Sequence, residues 1–199
     1  MFHRVTTLTE ATDIDEALRY LEQTALPVTR AQRGYRGATA SVDRKAGLLG
    51  ILTMWDSAAS RDASDSAVAK NREEASRLFS GTMTVELFEE VSLEMAKPPV
   101  VGSSLRVVRY STDPASVDDI VSYFNSDLAP RIKAMAGFRT LRNMVNRETG
   151  AGIVGSTWDD DSAMQQADGQ LRSLREEVGR RGVSFGDTSQ RQIALIDLP

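Results

Sequence analysis

Two tryptophans occupy similar sequence contexts and are the first candidates for a binding site. Trp55 and Trp158 each end a largely apolar run, and each is followed by an aspartate. An indole in this position can stack on an aromatic ligand, or it can pack between elements while its N–H group finds a nearby acceptor. We favour packing at a strand–helix junction and keep ligand binding as the alternative.

Five further side chains are candidate ligand contacts. Tyr20 and Tyr123 could offer hydroxyl groups, Arg36 and Arg139 could bind an anion, and His3 could act as a base near neutral pH. Each also has a structural interpretation. The tyrosines suit the edge of a helical core, the arginines suit the solvent side of a strand, and the histidine suits a strand surface. We favour the structural interpretation for the arginines and for His3.

The composition excludes several kinds of site. The chain has no cysteine and one histidine, so no disulfide, no thiolate nucleophile and no Cys-ligated metal is expected. Asp159, Asp160 and Asp161 are consecutive carboxylates. Metal ligands must converge from several directions, whereas carboxylates at a helix start favour the helix dipole. We therefore predict no metal site.

Charge and hydropathy limit the partners. The net charge is −4 with both signs mixed along the chain, which argues against a nucleic acid or an anionic membrane as partner. No apolar run is long enough to cross a bilayer, and the first residues lack the apolar region of a secretory signal. We expect a cytoplasmic protein.

The elements that position these residues repeat once along the chain. With an offset of 103 positions (130 − 27 = 103), Pro27 meets Pro130 and Trp55 meets Trp158. The same offset pairs Gly34 with Gly137, Asp15 with Asp118, Tyr20 with Tyr123, Val5 with Val108, and His3 with Arg106. A register without a gap from the first strand to the second helix predicts a tandem duplication. A Pro- and Gly-containing linker at residues 96–104 divides it into domains 1–98 and 99–199.

Each copy predicts the order β-α-β-β-α-β, which is ferredoxin-like. Strands are predicted at residues 2–7 and 105–110, and last strands at 83–88 and 192–198. Asp13 with Glu16, and Ser116 with Asp119, have the spacing of a helix-capping box. The third strand, residues 48–55, is apolar on both faces, so both of its faces must be covered. We therefore predict an α+β fold in which the open sheet faces of the two modules pack together as a small α/β barrel.

Three segments of the first copy resemble the antibiotic biosynthesis monooxygenase family of the dimeric α/β-barrel superfamily: residues 34–37, the turn at 43–47, and residues 52–57. Residues 137–139 and 156–160 show the same pattern in the second copy. The resemblance implies two ferredoxin-like βαββαβ modules packed as an intrachain dimeric α/β barrel. It also implies a ligand held between the sheet and the helices of a module. Some relatives oxygenate aromatic polyketides or quinols without metal or flavin, and others bind and degrade heme.

The chain departs from both of these family patterns. In the cofactor-free monooxygenases, an Asn four residues before the Trp and a Tyr six residues after it accompany the Trp. Here these positions hold Ile51 and Arg61 in the first copy, and Val154 and Met164 in the second. The heme degraders carry a histidine on the second helix, and neither copy has one. We therefore expect no cofactor.

These observations leave three functions open. We predict a protein that binds a small apolar or aromatic molecule, with catalysis undecided. The alternative is a cofactor-independent monooxygenase acting on an aromatic or quinol substrate, and the third is a scaffold. Because the second helix of the first copy carries smaller residues, we expect the open pocket in the first module. The pair is predicted to form a pseudo-dimer within one chain, and further homo-oligomer formation stays open.

Overall fold

The computed structural model describes residues 1–198 and divides into two compact units. The first unit contains Met1–Leu87 and the C-terminal stretch from Ile193, and the second contains Phe88–Gln192. Two long strands therefore begin in one unit and end in the other. The boundary near residue 98 was predicted from the sequence repeat, whereas these units are defined by contacts. The boundary between the repeats stays a prediction.

The first copy of the repeat forms four strands and three helices. The strands are β1 (Phe2–Thr9), β2 (Tyr35–Asp43), β3 (Leu48–Trp55) and β4 (Thr82–Met95). Helix α1 runs through an α-helical segment Ile14–Tyr20, a π-helical segment Leu21–Ala25 and an α-helical segment Leu26–Arg30. The other helices are α2 (Ala58–Ala63) and α3 (Asp65–Leu78).

The second copy repeats this order. Its strands are β5 (Ser104–Ser111), β6 (Phe138–Val145), β7 (Ala151–Trp158) and β8 (Ser184–Asp197). Helix α4 runs through Val117–Tyr123, a π-helical segment Phe124–Leu128 and Ala129–Lys133. The other helices are α5 (Asp161–Gln166) and α6 (Asp168–Gly179).

The strands hydrogen-bond in the order β1-β3-β2-β8-β5-β7-β6-β4 and form a closed barrel. Within each copy the first and second strands flank the third strand, and all these pairs are antiparallel. The predicted α+β fold, with ferredoxin-like modules in a barrel built from one chain, is confirmed.

The last strand of each copy is longer than predicted. Strand β4 continues beyond residue 88, and its residues from Glu89 to Met95 pair with β6. From Glu90 to Met95, polar residues alternate with apolar residues. This alternation suits a strand with one covered face, since successive side chains point to opposite faces.

The two first helices begin differently. The Asp13 side chain accepts a hydrogen bond of 2.9 Å from the Glu16 N–H group, as the predicted cap requires. The predicted cap at Ser116 is wrong, because its side chain makes no capping bond. Instead, Asp113 accepts a bond of 2.9 Å from Ala115 N–H at the start of a short 3-10 turn, Pro114–Ser116.

The second copy has one residue more than the first between its first strand and its first helix, and this turn lies in that segment. Arg4 pairs with Thr53 on β3, and Arg106 pairs with Ser156 on β7. Thr53 and Ser156 are 103 positions apart, but Arg4 and Arg106 are 102 apart (106 − 4 = 102). The predicted gapless register is therefore wrong for the first strand, and the structural partner of Arg106 is Arg4 rather than His3. A shift of one residue moves a side chain to the other face of the sheet.

Each unit has its own core of helix and strand residues. In the first unit it includes Leu8, Leu21, Leu26, Leu49 and Phe79. In the second unit it includes Tyr110, Phe124, Leu141, Met164, Leu174 and Val183. Burial of these apolar side chains stabilises the packing of the helices on the sheet.

Candidate ligand-binding cavities

Each unit contains a cavity lined by its first strand, its first helix and its long third helix, which is α3 in the first unit and α6 in the second. The cavity of the first unit has a volume of about 70 Å³, and that of the second about 80 Å³. Apolar side chains form most of both walls. In the second cavity these include Val108, Ile120, Phe124, Leu174, Val178 and Phe185.

Two arginines line the second cavity. Arg106 on β5 is only 4% exposed and forms an ion pair with Asp168 at the start of α6. Arg175 lies two turns further along α6, on the same helix face as Asp168. Its Nη1 donates a hydrogen bond of 3.1 Å to the Thr188 hydroxyl. Within residues 1–198, Arg175 forms no ion pair.

The donors of Arg106 are incompletely used. Its Nε group is buried and has no hydrogen-bond acceptor. Burial lowers the pKa of Arg106, and the positive charge of Arg175 lowers it further. Two guanidinium groups therefore lie close enough to repel each other in the wall of a mainly apolar cavity, an arrangement that an anion would stabilise.

The first cavity has an equivalent pair, Arg4 and Arg72, whose Nε and Nη1 groups, respectively, are likewise buried without an acceptor, but whose charges are better compensated. Arg4 donates to Ser64 Oγ at 3.0 Å and to the Arg61 carbonyl oxygen at 2.5 Å. Asp65 lies 3.4 Å from Arg4 and 2.7 Å from Arg72, so one carboxylate contacts both guanidinium groups. Burial is the main cause of the lowered pKa of Arg4.

The second cavity also contains a buried tyrosine–asparagine pair. The Tyr110 hydroxyl donates a bond of 2.9 Å to Asn143 Oδ1. Burial raises the pKa of Tyr110 to about 12, which the bond to Asn143 partly opposes. At neutral pH the phenol is therefore protonated. The Tyr110 ring lies over Gly152, where an added Cβ would come within 2.1 Å of the ring.

The two tryptophans lie outside both cavity walls. Trp55 and Trp158 are each 0% exposed. Their Nε1 groups donate to Thr53 Oγ1 at 3.0 Å and to Ser156 Oγ at 3.1 Å. Each indole also meets the first aromatic residue of the neighbouring strand in an edge-to-face contact with ring centroids 5.8 Å apart. These contacts are those of packing residues.

The two tyrosines of the first helices bond to glutamates of the second helices. The Tyr20 hydroxyl donates to Glu74 Oε2 at 2.8 Å, and Tyr20 also lines the first cavity. The Tyr123 hydroxyl bonds to Glu177, and its ring stacks under Arg181 at 3.6 Å from the ring centroid. Tyr123 is not part of the second cavity wall.

The two arginines that follow the Gly-aromatic pairs are also away from the cavities. Arg36 is exposed and lies 3.4 Å from Asp56. Arg139 pairs with Asp159 and donates to the Pro98 carbonyl oxygen at 2.7 Å. The structure places both in local ion pairs, as expected for charges on the outer side of a strand.

The expectation that His3 lies on a strand surface is wrong, because its side chain is 0% exposed. Strand β1 is buried along six successive residues, so both of its faces are covered. By alternation, Arg4, Thr6 and Leu8 face the cavity, and His3 faces the other side. A terminal position in the sequence therefore did not indicate an exposed strand.

The first unit contains an open cavity, as expected, but the second unit has one of nearly equal volume, which the sequence did not indicate. The first cavity has alanine at positions 17 and 75, where the second has Ile120 and Val178. Side-chain size alone does not determine a cavity, because the volume also depends on how closely helix and sheet approach.

The arginine pairs are the cavity residues that sequence reasoning missed. Arg72 and Arg175 share the offset of 103, as do Asp65 and Asp168, so the repeat contained a signal. The equivalence of Arg4 and Arg106 was concealed by the one-residue shift. Tyr110 and Asn143 are 33 positions apart, and no local spacing links them.

Among residues 1–198, no group of three or more histidine and carboxylate side chains is placed to hold a metal ion. No helix in this part of the chain has both the length and the apolar character required to span a membrane.

Comparison with known proteins adds relatives by sequence and by fold. No protein-family model matches the chain. The chain is 24% identical over 176 residues to the uncharacterized protein Rv2557 of Mycobacterium tuberculosis, a match covering 88% of this chain and 79% of that protein.

Among solved structures, an anthrone oxidase-like protein superimposes with a TM-score of 0.69 and 14% identity, over 98% of this chain and 92% of that one. A heme-degrading enzyme from Listeria monocytogenes gives a TM-score of 0.58 and 8% identity, over 96% and 99%. A ferredoxin-fold protein related to antibiotic biosynthesis monooxygenases, from the same species, gives 0.53 and 8%, over 100% and 95%. These comparisons confirm the predicted resemblance at the level of the fold, which hosts several functions.

Proposed function

We propose that this chain binds a small apolar molecule in the cavity between the sheet and the helices of a unit. The observation that supports this function most directly is the second cavity, whose wall is mainly aliphatic and aromatic and contains a few polar groups. Pre-formed apolar cavities with few, well-placed polar groups are the usual form of small-molecule sites. The similarity to ligand-handling proteins of the same fold agrees with this proposal.

The cavity volumes favour a small ligand. An apolar cavity of about 150 Å³ binds benzene, and the larger cavity here has about 80 Å³. A chain of a few carbons therefore fits, whereas a single ring requires the wall to move outward, because this volume is about half of one that holds benzene. A porphyrin or a fused polycyclic ligand would require the helices to move away from the sheet, at the cost of apolar contacts.

Isothermal titration calorimetry with hexanol and benzyl alcohol, and with the matching acids hexanoate and benzoate, tests this proposal. Binding should be lost when Ala75→Phe and Val178→Phe, at equivalent positions, fill the two cavities together. Each single variant shows which unit binds. If none of the four compounds binds, or if binding survives both fillings in a folded protein, the proposed function is wrong.

A cofactor-independent monooxygenase is the second candidate, and the Tyr110–Asn143 pair in the second cavity favours it. In such a reaction the substrate's own carbanion reduces O₂, so the protein must supply a dry pocket, an orienting group and a base. The protonated Tyr110 can orient a substrate oxygen as a hydrogen-bond donor, but it does not serve as the base near neutral pH. This pair therefore supports positioning more than catalysis.

Oxygen-electrode measurements with a hydroquinone test the second candidate. Catalysis predicts oxygen consumption above the protein-free rate, and Tyr110→Phe should reduce it. The variant Tyr20→Phe, which alters a hydroxyl in the other unit, is the matched control. Oxygen consumption equal to the protein-free rate would leave binding as the function.

A further inference from the structure

We propose that the ligand of the second cavity is an apolar monocarboxylic acid whose carboxylate is bound by Arg106 and Arg175. This inference rests on the proposed binding function and specifies the chemical class of the ligand. It goes beyond the general apolar character of the wall, because both guanidinium groups belong to that wall.

The charges around this end of the cavity do not cancel. Arg106 and Arg175 contribute two positive charges, and Asp168 contributes one negative charge through its ion pair with Arg106. One positive charge is left over (2 − 1 = 1), because Arg175 donates its hydrogen bond to the neutral hydroxyl of Thr188. A ligand with a single negative charge would complete the balance.

The free donors also fit a carboxylate. Arg106 is nearly fully buried, yet its Nε–H has no acceptor. A buried donor without an acceptor is unfavourable, and a carboxylate oxygen would satisfy it. Guanidinium groups bind planar carboxylates through paired hydrogen bonds. Both arginines could contribute because α6 and β5 hold them at the same cavity wall.

The rest of the wall requires an apolar body on the acid. Val108, Leu174 and Val178 line the cavity together with the two arginines. Burying a chain or a ring against them is favourable, whereas burying a second polar group there without a partner is costly. The volume of about 80 Å³ limits this body to a short chain or a single ring.

The first cavity provides an internal comparison for the same chemistry. Arg4 Nε and Arg72 Nη1 are also buried there without an acceptor, so the two cavities differ in charge and not in free donors. Asp65 contacts both Arg4 and Arg72, and Arg4 also donates to Ser64 and to a carbonyl group. A ligand carboxylate would compete with Asp65 for these donors. We therefore assign the stronger acid site to the second unit.

The test compares acids with alcohols of the same carbon skeleton by calorimetry on the full chain. We expect hexanoate and benzoate to bind the wild-type protein at least about tenfold more tightly than hexanol and benzyl alcohol, the size expected for one hydrogen-bonded charge. Arg175→Gln should weaken the binding of both acids by at least about tenfold and so remove this preference. Arg172→Gln, which removes an exposed charge from the same helix, should retain it.

The outcomes distinguish the ligand class from the proposed function. If alcohols bind as tightly as acids, the carboxylate proposal is overturned while the binding function stands. If hexyl phosphate binds more tightly than hexanoate, the site prefers a phosphate and the proposal is again wrong. If acid preference persists in Arg175→Gln but disappears in Arg72→Gln, the assignment to the second unit is wrong. Arg175 is partly exposed and forms no ion pair with any residue from 1 to 198, so its variant should fold, and thermal melting checks this.

Discussion

The two cavities share their charged groups and differ in their walls. Three pairs are common to both units: Arg4 and Arg106, Arg72 and Arg175, and Asp65 and Asp168. At other positions, a polar residue in the first wall is replaced by an apolar residue at the equivalent position of the second: Thr6 by Val108, Thr29 by Ile132, and Asn71 by Leu174. The duplication therefore preserved the charged residues, and the other wall residues determine which further groups a ligand needs.

The two cavities also differ at one pair of neighbouring strand residues. Leu8 on β1 packs beside Leu49 in the first unit, while Tyr110 and Gly152 pair at the corresponding positions of the second. The absence of a side chain at Gly152 makes room for the larger ring. The second unit thereby gains a buried phenol and its partner Asn143, which the first unit lacks because alanine stands at position 40.

The largest expected effect tests whether the two units are equally dependent on their tryptophans. Trp55→Ala and Trp158→Ala should each lower the free energy of unfolding by about 3–5 kcal/mol, because each removes a fully buried indole. Chemical denaturation measures both. Clearly unequal losses would contradict the view that the two tryptophans have the same structural role.

Gly152→Ala should test the contact between Gly152 and the Tyr110 ring, which is found in the second unit and not in the first. The new methyl group would meet the Tyr110 ring, so the free energy of unfolding should fall by about 1–3 kcal/mol through overpacking. Adding Tyr110→Leu, which restores the residue type of the first unit, should recover part of the loss. If Gly152→Ala alone leaves the stability unchanged, the close packing of ring on glycine is wrong.

The buried phenol predicts a pH dependence that belongs to the second unit. The pKa of Tyr110 is raised to about 12 in the folded state, above the ordinary value of about 10. A raised pKa means that the folded state favours the protonated phenol, so its stabilising effect is full below about pH 10 and is lost as the pH rises towards about 12. Unfolding measured from pH 9 to 12 should show a shallower decline in Tyr110→Phe than in wild type. An unchanged decline would contradict the raised pKa.

The smallest effect concerns the starts of the first helices. Asp13→Ala should cost about 1 kcal/mol, because it removes a capping bond. Ser116→Ala should have almost no effect on the free energy of unfolding, since Ser116 makes no capping bond. Equal losses from the two substitutions would show that the repeat-based prediction of a second cap was correct after all.

The sequence by itself determined the duplication and the fold. The offset of 103 came from residue types that recur along the chain. The apolar run at residues 48–55 and the Trp-Asp pairs depend on local spacing, and local spacing decides which element a segment forms. The packing role of Trp55 and Trp158 could be inferred for the same reason, since each ends an apolar strand. The cap at Asp13 followed from one short motif.

Only the tertiary structure decided which side chains meet in the cavities. One extra residue before α4 changes the strand register relative to the helix, so the equivalence of Arg4 and Arg106 emerged from strand pairing rather than from the alignment. His3 is buried for a related reason, because both faces of β1 are covered by parts of the chain distant in sequence. Tyr110 and Asn143 meet across a sheet whose pairing no local pattern specifies. Long-range pairing and burial on both sheet faces depend on the whole fold, and they decide which polar groups face a ligand.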